Sequence, residues 1–159
     1  MSAIISADLQ YRYRLTRDLG MVGNGACCFV MLNPSTADAH LDDPTIRRCR
    51  GYATALECGS LEVVNLFAYR STNPDVLAAM SRTQAIGSEN DQHILAACSG
   101  SRIIICAWGN HGYLFGRAAE VLQLIRLHGA HPMALKINSK SGQPAHPLYL
   151  RADARPLAL

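Results

Sequence analysis

The chain lacks the cysteine patterns that build metal centres. Its six cysteines lie at positions 27, 28, 49, 58, 98 and 106, and no two of them form a Cys-x-x-Cys pair. Structural zinc sites and iron–sulfur clusters need such grouped thiolates. The six histidines are scattered as well. We therefore expect small buried thiols in a reducing compartment, no metal site and no other cofactor.

Long apolar runs are also missing. No stretch approaches the roughly 20 apolar residues that span a bilayer, and Met1–Ser6 has neither the charged start nor the long apolar stretch of a signal peptide. These two absences predict a cytoplasmic protein with no membrane partner. The length of 159 residues and a hydrophobic content of 49% suit one α/β domain over residues 1–159, expected to be a monomer.

Acidic residues are scarce in the C-terminal part of the chain. Between Gln92 and Arg151 there are four Arg and two Lys but only one acid, Glu120. Thirteen of the fifteen basic residues in the whole chain are Arg, whose planar guanidinium suits phosphates and base edges. This excess predicts a nucleic acid, DNA before RNA, or a nucleotide as partner, although an exposed basic face would give the same count.

Four apolar runs of strand length divide the chain. They cover residues 27–32, 61–64, 103–107 and 133–137. Helical patterns lie between them, so strands and helices alternate. This order predicts a three-layer α/β/α domain with a mainly parallel central sheet. The alternating segment Tyr11–Arg17, rich in arginine, is predicted to add an N-terminal edge strand.

Three helices are predicted between these runs. Asp43-Pro44 gives an N-cap with proline at the first helical position, and apolar spacing continues the helix to near Gly59. Ser88 with Asp91 resembles a capping box that opens a helix to about Ala97. The third and longest helix is expected from about residue 113 to 128.

Polar and aromatic residues follow each of the four strand-like runs. Because ligands bind beyond the carboxyl ends of parallel strands, these residues are expected to line one pocket. The candidates are Asn33, Ser35, Thr36, Asn65, Phe67, Trp108, Asn110 and His146. Each also has a plainer interpretation: Asn33-Pro34 as a turn, Trp108 as core packing, and His146 as a loop residue. Further candidates for contact with nucleic acid are Arg70, Lys136, Lys140, Leu148 and Tyr149.

The motifs in their order resemble a known family. The segments that carry the resemblance are Met31–Asp38, Asp42–Thr45, Val64–Arg70, Glu89–Asp91, Trp108–Gly112 and Gly142–Tyr149. Over nearly the whole chain they are similar to the domain-of-unknown-function family 1643. More remotely, the order resembles the uracil-DNA glycosylase superfamily, in which strands end in an Asn-Pro or Asp-Pro motif, a base-reading Asn and a Trp-Gly pair, and a late loop carries His-Pro.

The remoter resemblance implies a uracil-DNA glycosylase-like three-layer α/β/α fold, and it also implies a function. It implies hydrolysis of the N-glycosidic bond of a modified or mismatched base that has been extruded into the pocket. Asn33 would hold water, Asn65 would read the base edge, and His146 would stabilise the departing base. Phe67 or Trp108 would stack on the base, with no metal or other cofactor involved.

The chain departs from the uracil enzymes at three places. Asn33 stands where they carry Asp, and Ser35 stands where they carry a tyrosine that excludes 5-methyl pyrimidines. After His146, a serine-rich continuation is replaced by Leu148-Tyr149-Leu150. The Asn-Pro version resembles the slower, mismatch-directed branch of the superfamily. Together the departures count against double-stranded DNA as the substrate and against catalysis itself.

Two other functions fit the same sequence. Asp38, Asp42 and Asp43 could hold Mg²⁺ against phosphates, which would make the protein a nucleotide phosphohydrolase. The pocket could also bind a nucleotide or nucleic acid without catalysis. Loss of activity on addition of a chelator would distinguish the Mg²⁺-dependent enzyme from a glycosylase. Binding of a base-containing compound without its turnover would identify the non-catalytic binding protein.

Overall fold

The computed structural model describes all 159 residues as an α/β domain built on one seven-stranded mixed sheet. The strands are β1 Ser2–Ile5, β2 Arg12–Asp18, β3 Ala26–Met31, β4 Ser60–Asn65, β5 Ser101–Cys106, β6 Pro132–Ala134 and β7 Leu157–Ala158. Their order in the sheet is β1-β2-β4-β3-β5-β6-β7. The four inner strands β4, β3, β5 and β6 run parallel, and the outer strands pair antiparallel. The α/β class and the parallel centre of the sheet are therefore confirmed.

Two apolar cores cover the two faces of this sheet. The helices are α1 Pro44–Ala55, α2 Asp75–Ala78, α3 Arg82–Ile86, α4 Asn90–Ser99 and α5 Arg117–Leu127, with short 3-10 turns at Asn110–Gly116 and Pro147–Tyr149. Helix α1 packs in one core with Phe29, Leu61 and Val63. Helices α4 and α5 pack in the other with Val30 and Val64. The alternation of side chains along β3 and β4 thus divides their apolar residues between the two cores. All six cysteines are buried and unbridged.

The predicted edge strand is not at the edge. β2 lies between β1 and β4, because residues 2–5 pair with it as a further antiparallel strand. At the opposite edge, β7 pairs with β6 and was not predicted. The outer strands β1 and β7 have only four and two residues, so local periodicity gives little sign of them.

The first predicted helix begins as expected, and the other two differ. The Asp43 side chain accepts the Ile46 N–H at 2.8 Å, and α1 starts at Pro44 but ends at Ala55. No Ser88–Asp91 capping box forms; α4 follows Glu89 without a side-chain cap, and the capping box in this region joins Ser81 and Gln84 at α3. Residues 110–116 form a kinked 3-10 turn ahead of α5. None of the helices combines the length and the hydropathy needed to cross a bilayer.

Candidate functional site

A cavity of about 600 Å³ lies at the carboxyl ends of β3, β4, β5 and β6. Its volume falls within the range of ordinary small-molecule sites. Nine of the predicted site residues line it: Asn33, Ser35, Asn65, Trp108, Asn110, Lys136, His146, Leu148 and Tyr149. The four inner strands run parallel, so the segments that follow them meet at one edge of the sheet. The functional roles of these residues remain predictions.

Four predicted residues lie outside the cavity. Phe67 is 0% exposed and packs edge-on against Phe115 in the α4–α5 core, so it is unavailable for stacking on a ligand here. Arg70 donates to the carbonyl of Leu9 at 3.3 Å. Thr36 and Lys140 are exposed and do not contribute to the cavity wall. Near neighbours of these four positions, such as Ser35, Ser71 and Asn138, do line the cavity, so the segments reach it although these four side chains do not.

Asn65 provides an unusual group at the end of β4. The residue is 1% exposed, yet its Oδ1 and Nδ2 atoms form no hydrogen bond with the protein. A buried amide without hydrogen-bond partners lowers the stability of the folded protein, and buried amides in proteins normally do have such partners. Asn65 lines the cavity, where its adjacent donor and acceptor match the edge of a ligand with the complementary pair.

Asn90 shows the contrasting use of a buried asparagine. Its Nδ2 donates to the carbonyls of Asn65 and Leu66 at 2.9 and 3.0 Å. These bonds tie the start of α4 to the chain at the end of β4. Asn90 therefore holds the backbone that carries Asn65, a role that its place in the Glu89–Asp91 motif did not reveal.

Asn33 is anchored by one end of its amide. Its Nδ2 donates to the carbonyls of Ser71 at 2.9 Å, Pro34 at 3.2 Å and Tyr69 at 3.5 Å, which fixes the loop beside the cavity. No protein group donates to its Oδ1. This oxygen is the part of Asn33 that remains free to accept a hydrogen bond from a ligand or a water molecule.

His146 is held in one tautomer by its own loop. Its Nδ1 accepts the N–H of Leu148 at 3.3 Å, so the neutral ring carries its proton on Nε2. Arg48 of α1 donates to the carbonyls of Pro147 and Leu150, which fastens this loop to the helix. Burial lowers the pKa of His146, and the charge of Asp43 opposes this shift. The ring is therefore a neutral Nε2–H donor at neutral pH.

Trp108 forms part of the cavity wall and is almost fully buried. Its Nε1 donates to Gln143 Oε1 at 2.7 Å. Gly112 lies against the indole so closely that a Cβ there would come within 2.2 Å of the ring. Gly112 thus allows the indole of Trp108 to pack tightly against the chain, and packing is the evident structural role of Trp108.

Sequence reasoning missed Arg12 as a cavity residue. It is only 2% exposed and lines the cavity together with Asp43, the one carboxylate in the wall. An arginine in an alternating strand gives no local sign of this position. Asp43 was expected to cap a helix, and it does. Its position in the cavity wall depends on where α1 begins in the folded protein, which the sequence does not show.

The three aspartates proposed for Mg²⁺ do not form a site. Asp42 bonds to Arg17 and Arg50 at 2.7 and 2.8 Å. Asp43 caps α1, and Asp38 accepts the backbone N–H groups of residues 40 and 41. No group of three or more His, Cys, Asp or Glu side chains is placed to hold a metal ion. The three aspartates therefore do not converge, because at least one oxygen of each carboxylate has a separate structural partner.

The fold and the cavity define an α/β domain with one principal site at the strand ends. The family described as Protein of unknown function (DUF1643) matches residues 12–148. The chain belongs to this family. No curated protein and no solved structure matches the chain.

Two half-buried histidines predict how stability depends on pH. Burial lowers the pKa of His146 and of His93. In the unfolded chain these rings take up protons near pH 6.5, before they do so in the folded protein. We therefore expect the free energy of unfolding to fall as the pH drops below about 6.5. Urea denaturation at several pH values measures this dependence. In His146→Gln the free energy of unfolding should change less steeply with pH. A profile that is level through this range would contradict it.

Proposed function

We propose that the cavity binds the base of a nucleotide and hydrolyses its N-glycosidic bond. The observation that carries this proposal is Asn65, whose buried amide offers an unused donor and an unused acceptor to the cavity. Such a pair suits the edge of a nucleobase. The remote resemblance to the uracil-DNA glycosylase superfamily supports the same assignment and extends it to a modified or mismatched base, in DNA or in a free nucleotide.

The chemistry follows from the residues that face the ligand. Water adds its oxygen to C1′ of the sugar while the bond between C1′ and the base nitrogen breaks. The bonding electrons leave with the base, whose oxygens gain negative charge. The Nε2–H of His146 is the donor available to stabilise that charge. Asn33 Oδ1 orients the water.

Asp43 supplies the carboxylate that Asn33 lacks. Its Oδ1 caps α1, while its Oδ2 accepts no hydrogen bond from the protein. The negative charge stabilises the cationic sugar and accepts the proton that the attacking water releases. Asp43→Asn tests this role, because asparagine is an equally good helix cap but carries no charge. A loss of rate at unchanged stability is the expected result.

Base release is the decisive measurement. Mass spectrometry of the free base, after incubation with oligonucleotides and nucleotides that carry natural and modified bases, shows whether the bond is cleaved. Binding of one base without release would assign the cavity to a non-catalytic binding protein. Failure of every base-containing compound to bind would overturn the proposal. A parallel incubation with a chelator tests for a metal requirement.

Ser35 predicts tolerance of bulky pyrimidines. It lines the cavity, and its small side chain leaves room that a tyrosine would fill. We expect uracil with a methyl or larger group at position 5 to be released at least as fast as uracil. Ser35→Tyr should slow the substituted bases more than uracil itself. A strong preference of the unmodified protein for plain uracil would contradict this placement.

The basic residues favour a small or single-stranded ligand over a long duplex. Arg117 is buried and paired with Asp91 and Glu120, so it adds no free charge to the surface. Arg151 is paired with Asp153. Two of the six basic residues in the C-terminal part are therefore already paired with carboxylates, whereas Lys136 stands at the cavity itself.

A further inference from the structure

Arg12 is a buried cation that forms no ion pair, although the charge of Asp43 is near enough to oppose the lowering of its pKa. Its Nη1 donates to the carbonyl of Ala37 at 2.7 Å, while Nε and Nη2 make no hydrogen bond with the protein. Burial lowers its pKa to about 10, which still leaves the guanidinium charged at neutral pH. Arginine is almost never fully buried unless it is paired.

The other two buried arginines are paired. Arg17 bonds to Asp42 at 2.7 Å, and Arg117 bonds to Asp91 and Glu120. Arg12 differs from both because its unused Nε and Nη2 belong to a residue that lines the cavity. These two nitrogens form one edge of the guanidinium and donate in parallel, the geometry that holds two oxygens of a phosphate or carboxylate.

A β-bulge directs Arg12 to this position. In the pairing of β1 with β2, Ile4 lies opposite Arg14 and Ile5 lies opposite Arg12, so Tyr13 has no partner. The extra residue places Arg12 and Arg14 in different surroundings: Arg14 bonds to Glu62 at 2.7 Å, and Arg12 lines the cavity. Bulges next to functional sites commonly re-aim a side chain in this way.

The start of α1 adds donors to the same cavity. Thr45 lines the wall, and neither its N–H nor its hydroxyl bonds to a protein group. It lies in the first turn of a helix of 12 residues, where the helix dipole favours an anion. Arg12 and Lys136 outnumber the one carboxylate, Asp43, among the charged residues of the wall. The cavity therefore keeps a net positive charge with His146 neutral.

We propose that Arg12, together with the first turn of α1, binds a phosphate group of the nucleotide whose base enters the cavity. The inference rests on the proposed function, since that function makes the anion a phosphate attached to a nucleoside. Arg12 binds two phosphate oxygens through Nε and Nη2. The ligand class is then a nucleotide, free or within a single strand, and not a nucleoside.

Calorimetric titration of the full chain with each nucleoside, its 5′-monophosphate and inorganic phosphate tests this. We expect the monophosphate to bind roughly 10- to 100-fold more tightly than the nucleoside. Arg12→Gln should abolish that difference, Arg12→Lys should restore part of it, and the exposed control Arg155→Gln should preserve it. A short single-stranded oligonucleotide that binds through Arg12 more tightly than the monophosphate would identify a strand as the source of the phosphate.

The outcomes separate this inference from the proposed function. If nucleosides and monophosphates bind equally well to the unmodified protein, the phosphate site is wrong and base recognition stands; this comparison needs no variant to fold. A different result would remove the proposed function and keep the phosphate site. In that case inorganic phosphate binds through Arg12, while the affinity for nucleotides does not depend on the base and is unchanged in Asn65→Leu.

Discussion

Asn65→Leu is expected to weaken base binding strongly and to stabilise the unliganded protein. Leucine has a similar size but removes two buried polar atoms that have no partner in the protein. Removing such a cost should raise the free energy of unfolding by about 1 kcal/mol or more, which corresponds to a rise of roughly 2–4 °C in Tm. Binding should weaken by at least about 100-fold, since two hydrogen bonds to the base are lost.

Asn90→Leu is the matched control. Asn90 is equally buried and its Oδ1 also has no partner, but its Nδ2 makes two hydrogen bonds to backbone carbonyls, whereas both polar atoms of Asn65 are unpaired. Its replacement should lower the free energy of unfolding by about 1–3 kcal/mol. Thermal unfolding of the two variants gives opposite signs if Asn65 is a binding residue. Equal destabilisation by both substitutions would show that Asn65 is structural.

His146→Ala is expected to reduce base release by roughly 10²–10³-fold under single-turnover conditions. The Nε2–H of the neutral ring is the donor placed to meet the charge on the departing base, and alanine provides no substitute. Asn33→Ala should have a milder effect on the rate, because Asn33 only orients water. It should also lower stability by about 1 kcal/mol, since its amide holds the loop at Tyr69 and Ser71.

Two further variants make the His146 experiment specific. His146→Gln keeps a hydrogen-bond donor and should recover part of the rate. His128→Ala is the control, because His128 lies exposed at the end of α5 and bonds to the carbonyl of Leu124. Full activity in His146→Ala would show that another group stabilises the departing base.

The central strands and the start of α1 could be predicted from local sequence. A run such as 27–32 is apolar on both faces, which is typical of a buried parallel strand. Asp43-Pro44 begins a helix through contacts within four residues, so neighbouring sequence is enough to identify it. The outer strands β1 and β7 have neither a long apolar run nor a local capping motif. Each is defined by pairing with a strand elsewhere in the chain.

The direction of individual side chains could not be predicted in the same way. Phe67 follows Asn65 by only two residues, but it packs in the α4–α5 core while Asn65 lines the cavity. Arg12 and Arg14 are two apart in an alternating strand, which predicts one shared face. The bulge at Tyr13 separates them. Such irregularities depend on how β1 pairs with β2, and no local pattern specifies it.

The sequence by itself determined the α/β class, the family and the convergence of Asn33, Asn65, Trp108 and His146 at one edge of the sheet. It could do so because strand periodicity and helix caps are local, and because parallel strands must bring their carboxyl ends together. Only the tertiary structure decided which polar groups are already paired and which remain unused. Asn65 and Arg12 differ from Asn90 and Arg17 in lining the cavity and in lacking the bonds that the Nδ2 of Asn90 and the guanidinium of Arg17 make, and those bonds go to segments distant in sequence.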